Sequence, residues 1–97
     1  GGRHPLQIMA TLHGHYSALA KLDGADARSE KDAMAATGIR SPYPAKKALT
    51  QYRRLGGAPV KRAITLLAEA DLDLRGKRDV DAELTMEVLV ARLSKLR

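Results

Sequence analysis

The segment Ala58–Arg75 constrains the fold most, because its apolar residues recur at the period of an α-helix. Pro59 suits the first turn of such a helix, where its missing N–H would have no partner in any case. One apolar stripe follows at spacings of three, four and seven: Val60, Ala63, Ile64, Leu67, Ala70 and Leu74. Because Leu66 and Leu72 widen this stripe, we expect the segment to be the central helix, with neighbours on two sides.

The same periodicity predicts four further helices, at His4–Leu22, Glu30–Thr37, Pro42–Leu55 and Val80–Leu96. Ser29 and Asp32 resemble a capping box before the second of these, and Gly38 supplies the left-handed residue that ends it. On the last helix the stripe expected to face the core is Leu84, Val88, Leu89, Leu93 and Leu96. Short connections favour antiparallel neighbours. The sequence therefore predicts an all-α, compact, bundle-like domain of five helices with short connections.

The amino-acid composition agrees with helix packing and excludes several kinds of site. The 97 residues include no Trp, Phe or Cys, so the core must consist of aliphatic side chains, and disulfides and thiolate metal sites are excluded. No apolar run approaches the roughly 18 residues that span a bilayer, so we expect a soluble, cytoplasmic protein without membrane contact. Residues 1–3 are interpreted as a cloning remnant or linker before a domain at 4–97.

A net charge of +6 is consistent with an anionic partner such as nucleic acid. The predicted outer face of the third helix carries the candidate basic surface: Lys46, Lys47, Arg53 and Arg54. One alternative function is therefore a DNA-binding module in which residues 30–37 and 42–55 form a helix-turn-helix-like pair. Pro42 and Pro44 weaken this hypothesis, because they are expected to lengthen the turn between the helices.

No residue pattern indicates catalysis. His13 and His15 are two residues apart and would point in nearly opposite directions on a helix, which does not suit a shared metal ion. Asp71 and Arg75 have the spacing of a structural ion pair on one helix face. Phosphate-binding loops, zinc-protease motifs, nucleophile elbows and calcium-binding loops are all missing from the sequence. We expect no enzyme activity, no metal and no cofactor for this chain.

Several short motifs follow one another in a characteristic order. The first is P-L-Q-I-M-A-T-L-H-G-H-Y-S-A-L, over Pro5–Leu19. The others are Gly38–Ile39, Pro42–Tyr43, Ala45–Lys47, Tyr52–Arg54, Leu67–Asp71, Leu74–Arg75, Met86–Glu87, Leu89 and Ala91–Leu93. In this order and spacing they resemble the C-terminal domain of the delta subunit of bacterial DNA polymerase III. Arg75 and Pro44 depart from that family's pattern, which has Lys and an apolar residue there.

The resemblance implies a part of the clamp loader, the assembly that opens the ring-shaped sliding clamp and places it on primed DNA. In that family the C-terminal helical domains form a collar that joins the subunits. The resemblance therefore implies that residues 4–97 are a collar, or oligomerisation, domain, with gamma/tau and delta prime as partner subunits. The sliding clamp and primed DNA would be reached through the parent protein or complex, and this domain would have no catalysis of its own.

The predicted helices also carry more apolar residues than a small core requires. The candidates for contact with a partner subunit are Ile8, Leu66, Leu72, Leu84 and Val90. The alternative is that they form a second flank of the same core, and the sequence leaves both interpretations open.

Overall fold

The computed structural model of the protein describes residues 4–77 and 81–96. Its helices are α1 (Pro5–Ala25), α2 (Glu30–Thr37), α3 (Pro42–Leu55), α4 (Gly57–Leu72) and α5 (Ala82–Ser94). A wider helical turn, Asp73–Lys77, follows α4 directly. The described residues contain no strand, and the predicted all-α, five-helix domain is confirmed.

The bounds of α2 and α3 are those that the sequence predicts, because local capping groups determine them. The Ser29 hydroxyl accepts a hydrogen bond from the Asp32 N–H at 3.1 Å, and the Asp32 carboxylate accepts one from the Arg28 N–H at 3.2 Å. Gly38 ends α2 with a φ of 78°, in the left-handed region that glycine adopts at little cost. Pro42 and Pro44 both lie in the first turn of α3. The expectation that they lengthen the connection between α2 and α3 is therefore wrong.

The predicted end of α1 at Leu22 is wrong, because the helix continues to Ala25. Asp26 takes the left-handed conformation, with a φ of 50°, and the Ala27 N–H returns to the Leu22 carbonyl at 3.3 Å. This ending buries Ala27 in the core. A left-handed Asp is less common than Gly at a helix end, so the sequence pattern carries little signal for this boundary.

The predicted end of α4 at Arg75 is also wrong, since the regular helix stops at Leu72. The chain leaves it through the wider turn, in which Gly76 has a φ of 86°. The expected start of the last helix at Val80 lies outside the described residues. In the described part α5 begins at Ala82, where the Asp81 carboxylate accepts a hydrogen bond from the Glu83 N–H at 2.9 Å.

Two clusters of buried residues form the core, and α1 contributes to both. The first contains Leu19, Leu22, Ala27, Ala33, Ala45, Ala48, Leu49 and Val60. The second contains Met9, Leu67, Ala70, Met86 and Leu89. Tyr16 packs against both clusters. Since α1 packs against each of the other four helices, α1 is the central helix, and the expectation that Ala58–Arg75 has this place is wrong.

The packed face of α5 differs from the predicted stripe. Thr85, Met86 and Leu89 are buried, whereas Leu84 is 53% exposed and Val88 is 40% exposed. The periodicity of α5 allows either face to be buried, because apolar residues occupy both. Contact with Met9 and Leu67 in the second cluster selects the face that carries Met86. Two large apolar side chains therefore remain accessible beside α4.

One polar contact lies where α1, α3 and α4 meet. The Tyr52 hydroxyl of α3 donates a hydrogen bond to the Asp23 carboxylate of α1 at 2.6 Å. A Cβ added at Gly57, the first residue of α4, would lie 2.7 Å from the same carboxylate oxygen. The carboxylate thus sits beside the positive N-terminal end of α4, where negative charge is favourable.

This contact also makes Tyr52 harder to ionise. Its hydrogen bond to Asp23 raises the pKa of Tyr52, and partial burial raises it further. Since the pKa is higher in the folded state, the contribution to stability is present below the unfolded value of about 10. It is lost as the pH rises through the folded pKa.

We predict opposite effects for two Gly→Ala substitutions in helices. Gly57→Ala places a methyl group against the Asp23 carboxylate and should cost about 2 kcal/mol, the net value of a hydrogen bond to a charged group. Gly14→Ala has no heavy atom within 4 Å of its new Cβ and should stabilise α1 by about 1 kcal/mol. Urea unfolding followed by circular dichroism measures both, and a stabilising Gly57→Ala would contradict the close approach.

Candidate functional site

A groove between α4 and α5 brings together the exposed side chains of Leu84 and Val88 and the half-buried side chain of Leu66. We call it the α4–α5 groove, and its volume is about 220 Å³. Side chains one and two helical turns apart form each wall, because the two helices pack side by side. The lining residues are Leu66, Glu69, Ala70, Asp73, Leu84, Thr85, Val88, Leu89 and Arg92.

The five predicted interface residues have different environments. Ile8 and Leu66 are half-buried and pack against the second core cluster. Leu72, Leu84 and Val90 are exposed by 52%, 53% and 51%. The α4–α5 groove brings Leu66 and Leu84 together but does not include the other three.

Val88 is a further candidate for contact with a partner, although the sequence pattern predicts that it faces the core. It lies one helical turn from Leu84 and lines the same groove. The sequence contains a signal for this, namely an apolar stripe on α5 wider than one neighbour can cover. Only the packing of Met86 and Leu89 shows which part of the stripe stays open.

Charged side chains mark the two ends of the α4–α5 groove. Glu69 and Asp73 lie on its α4 wall, and Arg92 lies on its α5 wall. Arg62 and Lys95 line an adjoining groove that shares Leu66 and Arg92. None of these five charged groups forms an ion pair with another described residue. An apolar strip with a charged rim has the composition of a protein–protein contact.

The structure does not gather the four predicted basic residues of α3 into one patch. Lys47 lines a groove against α1, together with His15 and Gln51. Arg54 lines the next groove, which reaches Leu96 after α5. Arg53 instead donates a hydrogen bond to the Arg28 carbonyl, on the side of α2, and Lys46 is exposed. The basic surface therefore continues onto other helices and is not confined to α3.

His13 and His15 face different surroundings. His13 lies within 3.3 Å of the Ser17 hydroxyl on its own helix. The His15 ring meets the Tyr16 ring edge to face, with 5.0 Å between centroids. Partial burial lowers the pKa of His15, and the positive charge of Lys47 lowers it further. Across residues 4–77 and 81–96, no three His, Cys, Asp or Glu side chains converge as metal ligands.

Asp71 and Arg75 form an ion pair, with 2.8 Å between the carboxylate oxygen and Nε. The Arg75 side chain is 70% exposed and that of Asp71 is 34% exposed. Solvent screening limits such a pair to about 0.5 kcal/mol. It links the last turn of α4 to the wider turn that follows.

Comparisons with models of protein families, with curated proteins and with solved structures found no match to this chain. In the part of the chain that the structure describes, no helix has the length and apolar character needed to cross a bilayer.

We predict that Lys47→Gln raises the pKa of His15, because removing a nearby positive charge favours the protonated imidazole. A proton NMR titration of the imidazole signals measures this pKa. Lys46→Gln makes the same charge change on the neighbouring residue and should have a smaller effect. An unchanged His15 pKa in Lys47→Gln would contradict the proximity of the two side chains.

Proposed function

We propose that this chain is a collar domain, the C-terminal oligomerisation domain of a clamp-loader delta subunit in bacterial DNA replication. The order of motifs along Pro5–Leu96 resembles that family, and the all-helical fold agrees with the helical domain that the resemblance implies. In this function the domain holds subunits together and contributes no chemistry.

The exposed apolar strip of the α4–α5 groove is the observation that carries the proposal. Leu84 and Val88 project beside Leu66, at about half and two-fifths of their full exposure. Covering such side chains with a partner removes apolar area from water, at about 25 cal/mol per Å². The charged groups at the rim would then select the partner and its orientation.

The partners in this proposal are the gamma/tau and delta prime subunits. The sliding clamp and primed DNA are reached through the parent protein or complex, in the cytoplasm of a bacterium. Leu72, Val90 and Ile8 are secondary candidates for the same contacts, since the first two are exposed outside the groove. The Asp71–Arg75 pair has no part in assembly beyond stabilising α4.

We predict that Leu84→Gln combined with Val88→Gln weakens assembly with gamma/tau and delta prime by at least about tenfold, because apolar anchors dominate interface energies. Analytical ultracentrifugation of the mixed subunits measures this. The unfolding free energy should change by less than about 1 kcal/mol, since both side chains are exposed.

The matched control is Leu6→Gln combined with Tyr43→Gln, which alters two exposed apolar residues outside the groove. This control should assemble normally. The proposal is wrong if the unaltered chain does not join these subunits at micromolar concentration, or if the groove variant assembles as well as the control.

A further inference from the structure

Three shallow grooves join into one continuous basic surface. The grooves that contain Lys47 and Arg54 share His15 and Gln51, and Leu96 links the second of them to the groove of Arg62 and Lys95. We call this surface the basic belt and define it by Lys47, Gln51, Arg54, Arg62, Arg92 and Lys95. It passes from α3 across the end of α5 to α4.

Among residues 4–77 and 81–96, no acidic side chain lines the three grooves of the basic belt, and Glu69 and Asp73 line only the neighbouring α4–α5 groove, which shares Arg92. The sequence explains this, because all eleven Asp and Glu residues fall within 23–32 and 69–87. Residues 33–68 contain seven Lys and Arg and no acid. Folding brings this stretch next to the acid-free N-terminal part of α1 and the basic end of α5.

The cations of the basic belt are available for a ligand. The ion pairs among the described residues are Arg28–Asp26 and Arg75–Asp71, and both lie outside the belt. On α3, Gln51 and Arg54 follow Lys47 at four and seven residues, which corresponds to rises of about 6 and 10.5 Å. Donors repeated at such intervals suit a polyanion better than a single bound anion.

Away from Leu66 and Arg92, where it meets the α4–α5 groove, the basic belt lacks the apolar anchors of a protein contact. None of the exposed large apolar side chains in the described residues lines it: Leu6, Tyr43, Leu72, Leu84, Val88 and Val90. Protein interfaces depend on such anchors, whereas nucleic-acid interfaces are more polar and strongly positive. Lys, Arg and Gln are also donors that commonly hold phosphate oxygens.

The belt offers little stacking surface for unpaired bases. Two rings line it: Tyr16 is half-buried and packs against both core clusters, and the exposed His15 imidazole meets the Tyr16 ring edge to face. Proteins that bind single strands combine a basic groove with accessible aromatic rings. We therefore propose that the basic belt binds the phosphate backbone of duplex DNA, without reading its sequence and without inserting α3 as a recognition helix.

This inference does not rest on the proposed collar function. The belt and the α4–α5 groove meet at Leu66 and Arg92, so a test of the belt should use residues away from that point. Lys47 and Arg54 satisfy this condition. Loss of DNA binding and loss of subunit assembly can thus be measured with different variants.

The test is fluorescence anisotropy with a labelled 20-base-pair duplex at 50 and 150 mM NaCl. If the five belt cations each contact a phosphate, the slope of log K against log salt is about −4.5, which is about a 140-fold loss of affinity over this range. Lys47→Gln combined with Arg54→Gln should make the slope shallower, at about −2.7, and reduce the loss of affinity to about 20-fold.

The matched control is Lys31→Gln combined with Lys61→Gln, which removes the same charge from exposed residues outside the belt. Its slope should equal that of the unaltered protein. Three results would each overturn the proposal: no binding at 50 mM NaCl, an equal loss of slope in the control, or displacement of the duplex by polyglutamate of equal charge. Tighter binding of a 20-nucleotide single strand would also overturn it.

Discussion

The Asp23 carboxylate is the point on which the arrangement of α1, α3 and α4 depends. It accepts the Tyr52 hydroxyl at 2.6 Å, and it leaves no room for a side chain at Gly57. Within the described residues this is the one hydrogen bond between side chains of different helices. A directional contact of this kind fixes rotation about the helix axes, which apolar packing alone specifies weakly.

The two core clusters explain why the domain has two distinct surfaces. α1 spans both clusters and joins them through Tyr16. The first cluster holds α2 and α3 against α1. The side of α3 that borders α1 carries Lys47 and Arg54, which belong to the basic belt. The second cluster holds α4 and α5 through Met86 and Leu89, which leaves the α4–α5 groove open. One surface is suited to a charged polymer and the other to an apolar partner.

The sequence predicts those parts of the fold that local interactions determine. Ser29, Gly38 and the two prolines of α3 define their helix ends through neighbouring atoms, and those bounds are confirmed. The end of α1 depends on burial of Ala27, and the exposed face of α5 depends on which stripe meets the second cluster. The candidate site follows the same division. The cations of α3 are visible in the sequence, but Arg62, Arg92 and Lys95 join them only after folding.

A double-mutant cycle measures how strongly the Asp23 carboxylate couples α1 to α3. Asp23→Ala, Tyr52→Phe, the combined variant and the unaltered protein are unfolded in urea at neutral pH, and the coupling free energy is taken from the four unfolding free energies. We expect a coupling free energy of about 2 kcal/mol, because the hydrogen bond joins a hydroxyl to a charged acceptor. Additive effects, with a coupling indistinguishable from zero, would contradict it.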